Sequence, residues 1–269
     1  MSIISELIRP ANLNLDFPKT FNLPYSVGIK ADGLIFMSGM KAINRITGEY
    51  SSGTTGSETR EILENLTEIL DSAGLSLRDV VKMNVFLHSL LEMESFNRAY
   101  KGFFQNNLPA RNVSGAVLSS GMKVEIECVV LSSGHEDAAR IRAPIEPKNP
   151  LLNNSRRHNR PHSPGIRISN LIFVSGMVPL DPKTGESKLG PTSEQIQVVL
   201  TNMAHLLEST GTSLERVVKL NVSMANMLER ETLFRIMPKF FLNQPPACTI
   251  VGMQLSNGHG VEIEGIATV

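Results

Sequence analysis

The chain has 269 residues, 26 basic and 26 acidic, and a formal net charge of zero; that balance offers no field to draw in nucleic acid or an anionic membrane. A hydrophobic content of 41% with 19% charged residues fits a globular protein that buries a core, and two cysteines, Cys128 and Cys248, are too few for a disulfide framework. No apolar run nears the ~18 residues of a membrane span, and the first residues lack the basic and apolar regions of a secretory leader, so a cytoplasmic protein is expected.

Gly33 to Ser38 is a short apolar run, the pattern of a buried strand, and Thr47-Gly48 then marks a turn. Thr55-x-x-Glu58 predicts a capping box at the start of a helix, with Ile62, Leu63, Leu66, Ile69 and Leu70 on its apolar stripe. Gly74 suits a left-handed residue just past the end of that helix. Val80 to Leu87 reads as a strand. A second amphipathic helix carries Phe96, Tyr100, Phe103 and Phe104, and two strands close the unit, the last over Lys123 to Leu131.

The whole series then returns. Pro24-Tyr25-Ser26 reappears as Pro161-His162-Ser163, an offset of 161 − 24 = 137, and the offset holds without a gap to Val269. Leu34-Ile35-Phe36 meets Leu171-Ile172-Phe173, Asn65 meets Asn202, Pro109-Ala110 meets Pro246-Ala247, and Val124-Glu125-Ile126-Glu127 meets Val261-Glu262-Ile263-Glu264. A repeat of this length is a duplicated domain and not a solenoid unit. The order β-β-α-β-α-β-β predicts an α+β fold, helices on one face of a mixed sheet, built twice. By composition the domains are 1–132 and 161–269, with 133–160, rich in Pro, Asn and charge, as a linker. In the second copy, Thr192-x-x-Gln195 is expected to cap, Gly211 to terminate, and Pro238 to kink the second helix.

Few residues carry chemistry. Arg111 follows a helix-stopping proline at an element junction, where a guanidinium suits bidentate capture of a carboxylate; its other reading is a surface ion pair. Glu125 and Glu127 share one face of a strand, where one of them can activate water or both can simply face solvent. Ser38-Gly39 offers a hydroxyl and a backbone N–H, or merely turns the chain; the Tyr25 phenol can reach a ligand or pack. His158 and His162 are four apart, but Pro161 between them rules out the helical two-His arrangement, and no other spacing suggests a metal. No histidine neighbours Cys248 in sequence to activate it, so a small inert buried thiol is expected there.

Pro24-Tyr25-Ser26, the apolar strand ending in Ser38-Gly39, Ala73 to Lys82, Pro109-Ala110-Arg111 and Val124 to Glu127 together resemble the Rid family of reactive-intermediate deaminases, also called YjgF-like proteins. The resemblance implies the chorismate-mutase-like α+β domain, closed trimers with ligand sites between neighbouring domains, and cofactor-free hydrolysis of 2-imino or 2-enamino acids to 2-oxo acids and ammonia. It gives Arg111 the substrate carboxylate, Glu125 the hydrolytic water, and Ser38, Gly39 and Tyr25 the pocket lining. The second copy departs from this at His162 in place of Tyr25 and Cys248 in place of Arg111, while Met40 and Met177 make the pocket floors more apolar. His162 is therefore a candidate contributor to a site completed by the first copy. A specialised biosynthetic enzyme (chorismate-type or carbamate hydrolysis, cyclisation or dehydration) and a non-catalytic small-molecule binder are the alternatives. Closing rings of three needs more than two domains, so a homo-oligomer is expected, a homotrimer ahead of a dimer.

Overall fold

The structure is a computed structural model describing residues 5–105, 107–132 and 142–269. It divides into two compact units: the described residues of 1–109 and 116–139, and those of 110–115 and 140–269. In chain order the first copy forms β1 (Glu6–Leu7), a short helix α1 (Phe17–Thr20), β2 (Gly28–Ala31), β3 (Leu34–Met37), α2 (Thr55–Ser72), β4 (Val80–Leu87), α3 (Met93–Lys101), β5 (Ala110–Gly115) and β6 (Val124–Leu131). The second repeats it as β7 (Arg142–Pro144), α4 (Asn154–Arg157), β8 (Gly165–Ile168), β9 (Leu171–Met177), α5 (Thr192–Glu208), β10 (Val217–Met224), α6 (Arg230–Ile236), β11 (Ala247–Gly252) and β12 (Val261–Thr268). Two six-stranded sheets result, ordered β1-β2-β3-β6-β4-β5 and β11-β10-β12-β9-β8-β7. In the second, β10 and β11 run parallel while β10, β12, β9, β8 and β7 pair antiparallel in turn, so the sheet is mixed.

Each core lies between a sheet and its long helix. In the second unit Ile196, Val199, Leu200, Met203 and Leu207 of α5 pack on Leu220, Val222 and Ile263. Ile62, Leu63, Leu66, Ile69 and Leu70 are likewise buried on α2. Each such side chain contributes about 1.5–3 kcal/mol by leaving water. Gly74 and Gly211 adopt φ of +70° and +84° past the helix ends, as the sequence predicts.

Polar side chains on the helices hold the site loops. Buried Asn65 donates to the Ile43 carbonyl at 2.7 Å, and Asn202 repeats this with Leu180 at 2.8 Å. Glu58 and Gln195 do not complete the predicted capping boxes. The Thr54 hydroxyl, paired with Ser57, caps α2, and α5 starts at Pro191 without a side-chain cap. Glu58 is buried one residue further along, and its carboxylate accepts from Gly53, Lys123 and Val124 N–H at 3.1, 2.7 and 3.2 Å. Gln195 accepts from Gly260 N–H at 2.7 Å. Both residues fasten the closing strand to the helix.

Pro238 ends α6 rather than kinking it: the helix stops at Ile236 and a 3₁₀ turn over Met237–Lys239 follows. Of the segment read as a linker, 133–141 lies outside the described residues, and the remainder carries structure within the second unit. β7 pairs with β8, and Asn149 caps a 3₁₀ turn at Pro150–Leu152. Asn12 caps the equivalent turn at Leu13–Leu15. The Asn and Pro of 142–160 are thus turn chemistry repeated from the first copy, at the same offset.

Candidate functional site

In the first unit the chain leaves β3 through Ser38-Gly39-Met40-Lys41. Met40 exchanges two backbone hydrogen bonds with Ile126, at 2.8 and 3.0 Å, which sets Gly39 against Glu125. A Cβ on Gly39 would collide with the Glu125 carboxylate, so glycine is what lets that group lie over the backbone. Ser38 donates to the Ser26 carbonyl at 2.7 Å, which commits its proton and leaves its lone pairs free to accept. Beside these sits Lys41, its ammonium 2.7 Å from Ser119 Oγ and 3.4 Å from Glu125 Oε2. The same ammonium lies 5.9 Å from the centre of the Tyr50 ring. Tyr50 stacks on Phe21 at 4.5 Å, and Tyr25 packs edge-on against Phe17. Burial raises the Tyr25 hydroxyl above the ordinary phenol range, aided by Tyr50 and Glu125 and opposed by Lys41. Burial and Glu125 raise Tyr50 likewise. Both phenols are therefore neutral donors at physiological pH.

The second unit builds the equivalent turn with different neighbours. Ser175 donates to the Ser163 carbonyl at 2.5 Å, repeating the Ser38–Ser26 bond, and its oxygen also accepts from the Arg111 N–H at 2.8 Å. β5, which carries Arg111 and stands next to β4 in the first sheet, is counted with this unit. Arg111 is 5% exposed, and its Nη1 is shut off from solvent. A guanidinium stays charged even when buried, so it demands an anion or several acceptors nearby. A Cβ on Gly176 would collide with both Glu262 Oε1 and Asn112 Oδ1, which places a buried carboxylate and an amide together over that glycine. Next to Ser175 and Gly176 is a cavity of about 30 Å³ walled by His162, Met177 and Leu180.

The expected site residues thus divide. Tyr25, Ser38, Gly39 and Glu125 gather in the first unit, and Arg111 and His162 in the second. Lys41, Tyr50 and Asn112 were not singled out from sequence. Aligning the copies reveals the first two, since Val178 and Ser187 occupy the equivalent positions. Cys248 is exposed, not buried; the buried thiol is Cys128. Partial burial raises the Cys248 thiol, against a weaker opposite pull from Lys219, so it rests protonated at neutral pH and is no activated nucleophile. Among the described residues, no group of three or more His, Cys, Asp or Glu could hold a metal ion, and no helix is long and apolar enough to cross a membrane.

Two six-stranded sheets in tandem, each with a Ser-Gly turn set under a glutamate, define a duplicated YjgF-like α+β protein. The chain belongs to the endoribonuclease L-PSP family, whose model matches residues 18–132 and again 154–269. Similar proteins include the 2-iminobutanoate/2-iminopropanoate deaminase of Homo sapiens, 35% identical over 129 residues, covering 48% of this chain and 93% of that one. The mitochondrial protein mmf2 of Schizosaccharomyces pombe is 39% identical over 110 residues, covering 39% of this chain and 86% of its own. The chloroplastic Reactive Intermediate Deaminase A of Arabidopsis thaliana is 36% identical over 107 residues, covering 39% of this chain and 57% of its own. Each alignment spans about one copy.

Proposed function

We propose that the chain is a cofactor-independent hydrolase that converts 2-imino or 2-enamino acids and water to 2-oxo acids and ammonia. The observation that carries this reading is the buried Arg111 on a strand pinned to Ser175, in the unit where Glu262 and Asn112 converge over Gly176. The deaminase named among its relatives supports the same chemistry. Arg111 takes the substrate carboxylate in two parallel N–H···O bonds. Glu262 takes the role that the resemblance gives its counterpart Glu125: it orients a water and accepts a proton as the oxygen bonds the imine carbon. The C=N electron pair moves to nitrogen, which is protonated; the resulting carbinolamine expels ammonia as its hydroxyl becomes the carbonyl. An imine carbon is already electrophilic, so positioning and electrostatics suffice.

Coupling the protein to an amino-acid oxidase tests this. Ammonia and oxo-acid release should rise with wild-type protein and fall back with Arg111→Ala, with Arg111→Lys retained as a variant that keeps the buried charge. Release that wild-type protein does not accelerate overturns the reading. A homo-oligomer, three chains ahead of two, is part of the proposal and is read by light scattering; a cytoplasmic location is read by cell fractionation.

A further inference from the structure

β5 and β11 are the same six positions at the repeat's offset, yet the first strand is covered and the second is open. Ala110, Arg111 and Ser114 of β5 are buried, whereas every residue of β11 is exposed or half-buried. What covers β5 is β9, within the second unit. Ala110 bridges in parallel to Ser163, and the Arg111 N–H donates to Ser175 Oγ at 2.8 Å. At the far end the Gly115 N–H donates to the Gln254 carbonyl at 3.1 Å. Phe173 and Ser175 share one face of β9, opposite Ile172 and Val174, which join the core under α5. β5 therefore lies on the face of β9 turned away from that helix. The matching face of β3 is open: Phe36 is 48% exposed where Phe173 is 2%. Ser38 bonds the Ser26 carbonyl as Ser175 bonds that of Ser163, and its oxygen keeps a lone pair with which to accept. Val117, at the position of Gln254, is 96% exposed. β11 is also an unguarded edge. It ends the second sheet, and its Ala-Cys-Thr-Ile-Val-Gly holds no charge and no proline, the devices that keep edge strands from pairing.

We propose that β11 docks on β3 of a second chain, in the way that β5 lies on β9, and that chains join head to tail through this contact. The proposal rests on the homo-oligomer put forward above and says which two surfaces form it. Cys248 stands at the position of Arg111, so its N–H is the donor that meets Ser38 of the second chain. Ala247 and Gly252 then fall beside that chain's Ser26 and Val117, as Ala110 and Gly115 fall beside Ser163 and Gln254. The charges fit the same arrangement. β5 brings a cation, Arg111, to the unit whose turn carries Val178. β11 brings the neutral Cys248 to a turn that already holds Lys41, 3.4 Å from Glu125. A second cation covered at that place would lack a counter-charge, which is costly once water is excluded. The contact is heterologous, one surface of each chain on a different surface of the next, so it is satisfied for every chain only when the assembly closes.

Each chain has one open strand and one open face, so blocking them separately and then mixing tests the contact. Cys248→Pro removes the donor N–H at an edge-strand position, where proline is tolerated. Phe36→Glu puts a charge on the open face. By light scattering, each variant alone should be a monomer. An equimolar mixture should give dimers and nothing larger, because each pair retains one intact β11 and one intact β3 face. An oligomer that survives in either variant, or a mixture that stays monomeric, overturns these surfaces and leaves the homo-oligomer standing. The unaltered chain gives a second reading that does not depend on how a variant folds. Cys248 should react with a thiol reagent at least tenfold more slowly at concentrations where light scattering shows the oligomer than where it shows the monomer. Equal rates overturn the contact. Wild-type protein that is monomeric at every concentration overturns the homo-oligomer as well, and leaves the hydrolase to the oxidase-coupled test.

Discussion

Ser38-Gly39 and Ser175-Gly176 are the same turn built twice, and the difference lies in what surrounds them. The backbone fasteners are identical: a serine hydroxyl on a serine carbonyl, an asparagine holding the following loop, and a glycine under a glutamate. Around the first turn the charged groups are partly solvated, with Lys41 and Glu125 side chains 15% and 26% exposed. Around the second, Arg111 and Glu262 are 5% and 8% exposed. Duplication has left the scaffold alone and varied the dielectric around the same carboxylate. A charge in the second setting interacts more strongly, and leaving it unpaired costs more.

The largest expected effect separates the two turns by chemistry. Arg111→Ala should lower kcat/KM for imine hydrolysis by about 10²–10³-fold, as expected for removing a preorganised charged donor, and steady-state kinetics would show it. A loss of less than tenfold would place the reaction at the first turn instead.

Acid should separate the units by stability. His259, buried and hydrogen-bonded to Ser187 at 2.9 Å, is pushed down to about 4 by burial and by Arg160, and the first copy has Met122 in its place. Its folded value lies below the usual one of about 6.5, so neutral histidine is favoured by folding. The stabilisation is complete above that pH and is lost as pH falls through it towards 4, a change of about 2–3 kcal/mol. Thermal melts from pH 7 to pH 4.5 should show the second unit losing stability first, and His259→Met should flatten the difference. If the variant keeps the full acid sensitivity, another group is responsible.

The glycines give a smaller contrast. Gly176→Ala drives a methyl into Glu262 and Asn112 in a closed setting and should cost about 1–3 kcal/mol, the range for overpacking. Gly39→Ala meets only the partly exposed Glu125 side chain, which can swing away, and should cost under about 1 kcal/mol. Denaturant titration of both variants checks the order; equal losses would mean that burial does not distinguish the turns. Smallest of all, Cys248→Ser should move stability by less than about 0.5 kcal/mol. A thiol reagent should label Cys248 alone in the native protein, and faster as pH rises, because its thiol is raised and Cys128 is buried.

Much of the fold was legible because its signals are local. The β-branched runs of β4 and β10 and the apolar stripes of α2 and α5 appear where their spacing predicts them. Glu58 deceived because three backbone donors from distant residues compete with the cap, and nothing local records them. Residues 142–160 read as linker because Asn and Pro serve short capped turns and loose chain alike; only the offset, followed further toward the N-terminus, distinguishes the two. Arg111 was legible as a residue but not as a placement, since its Ser175 partner is 64 positions away. Lys41 leaves no local mark, because a lone lysine is by default a solvated one and its neighbours Ser119 and Glu125 come from remote segments.

Neither compact unit is a continuous length of polypeptide. The six residues from Ala110 to Gly115 are counted with the second unit, and the chain on both sides of them with the first. A duplicated gene is ordinarily free to shed a copy, because each half encodes a self-sufficient fold. Here a cut between the copies parts Arg111 from Ser175, whose hydroxyl oxygen accepts from its backbone N–H.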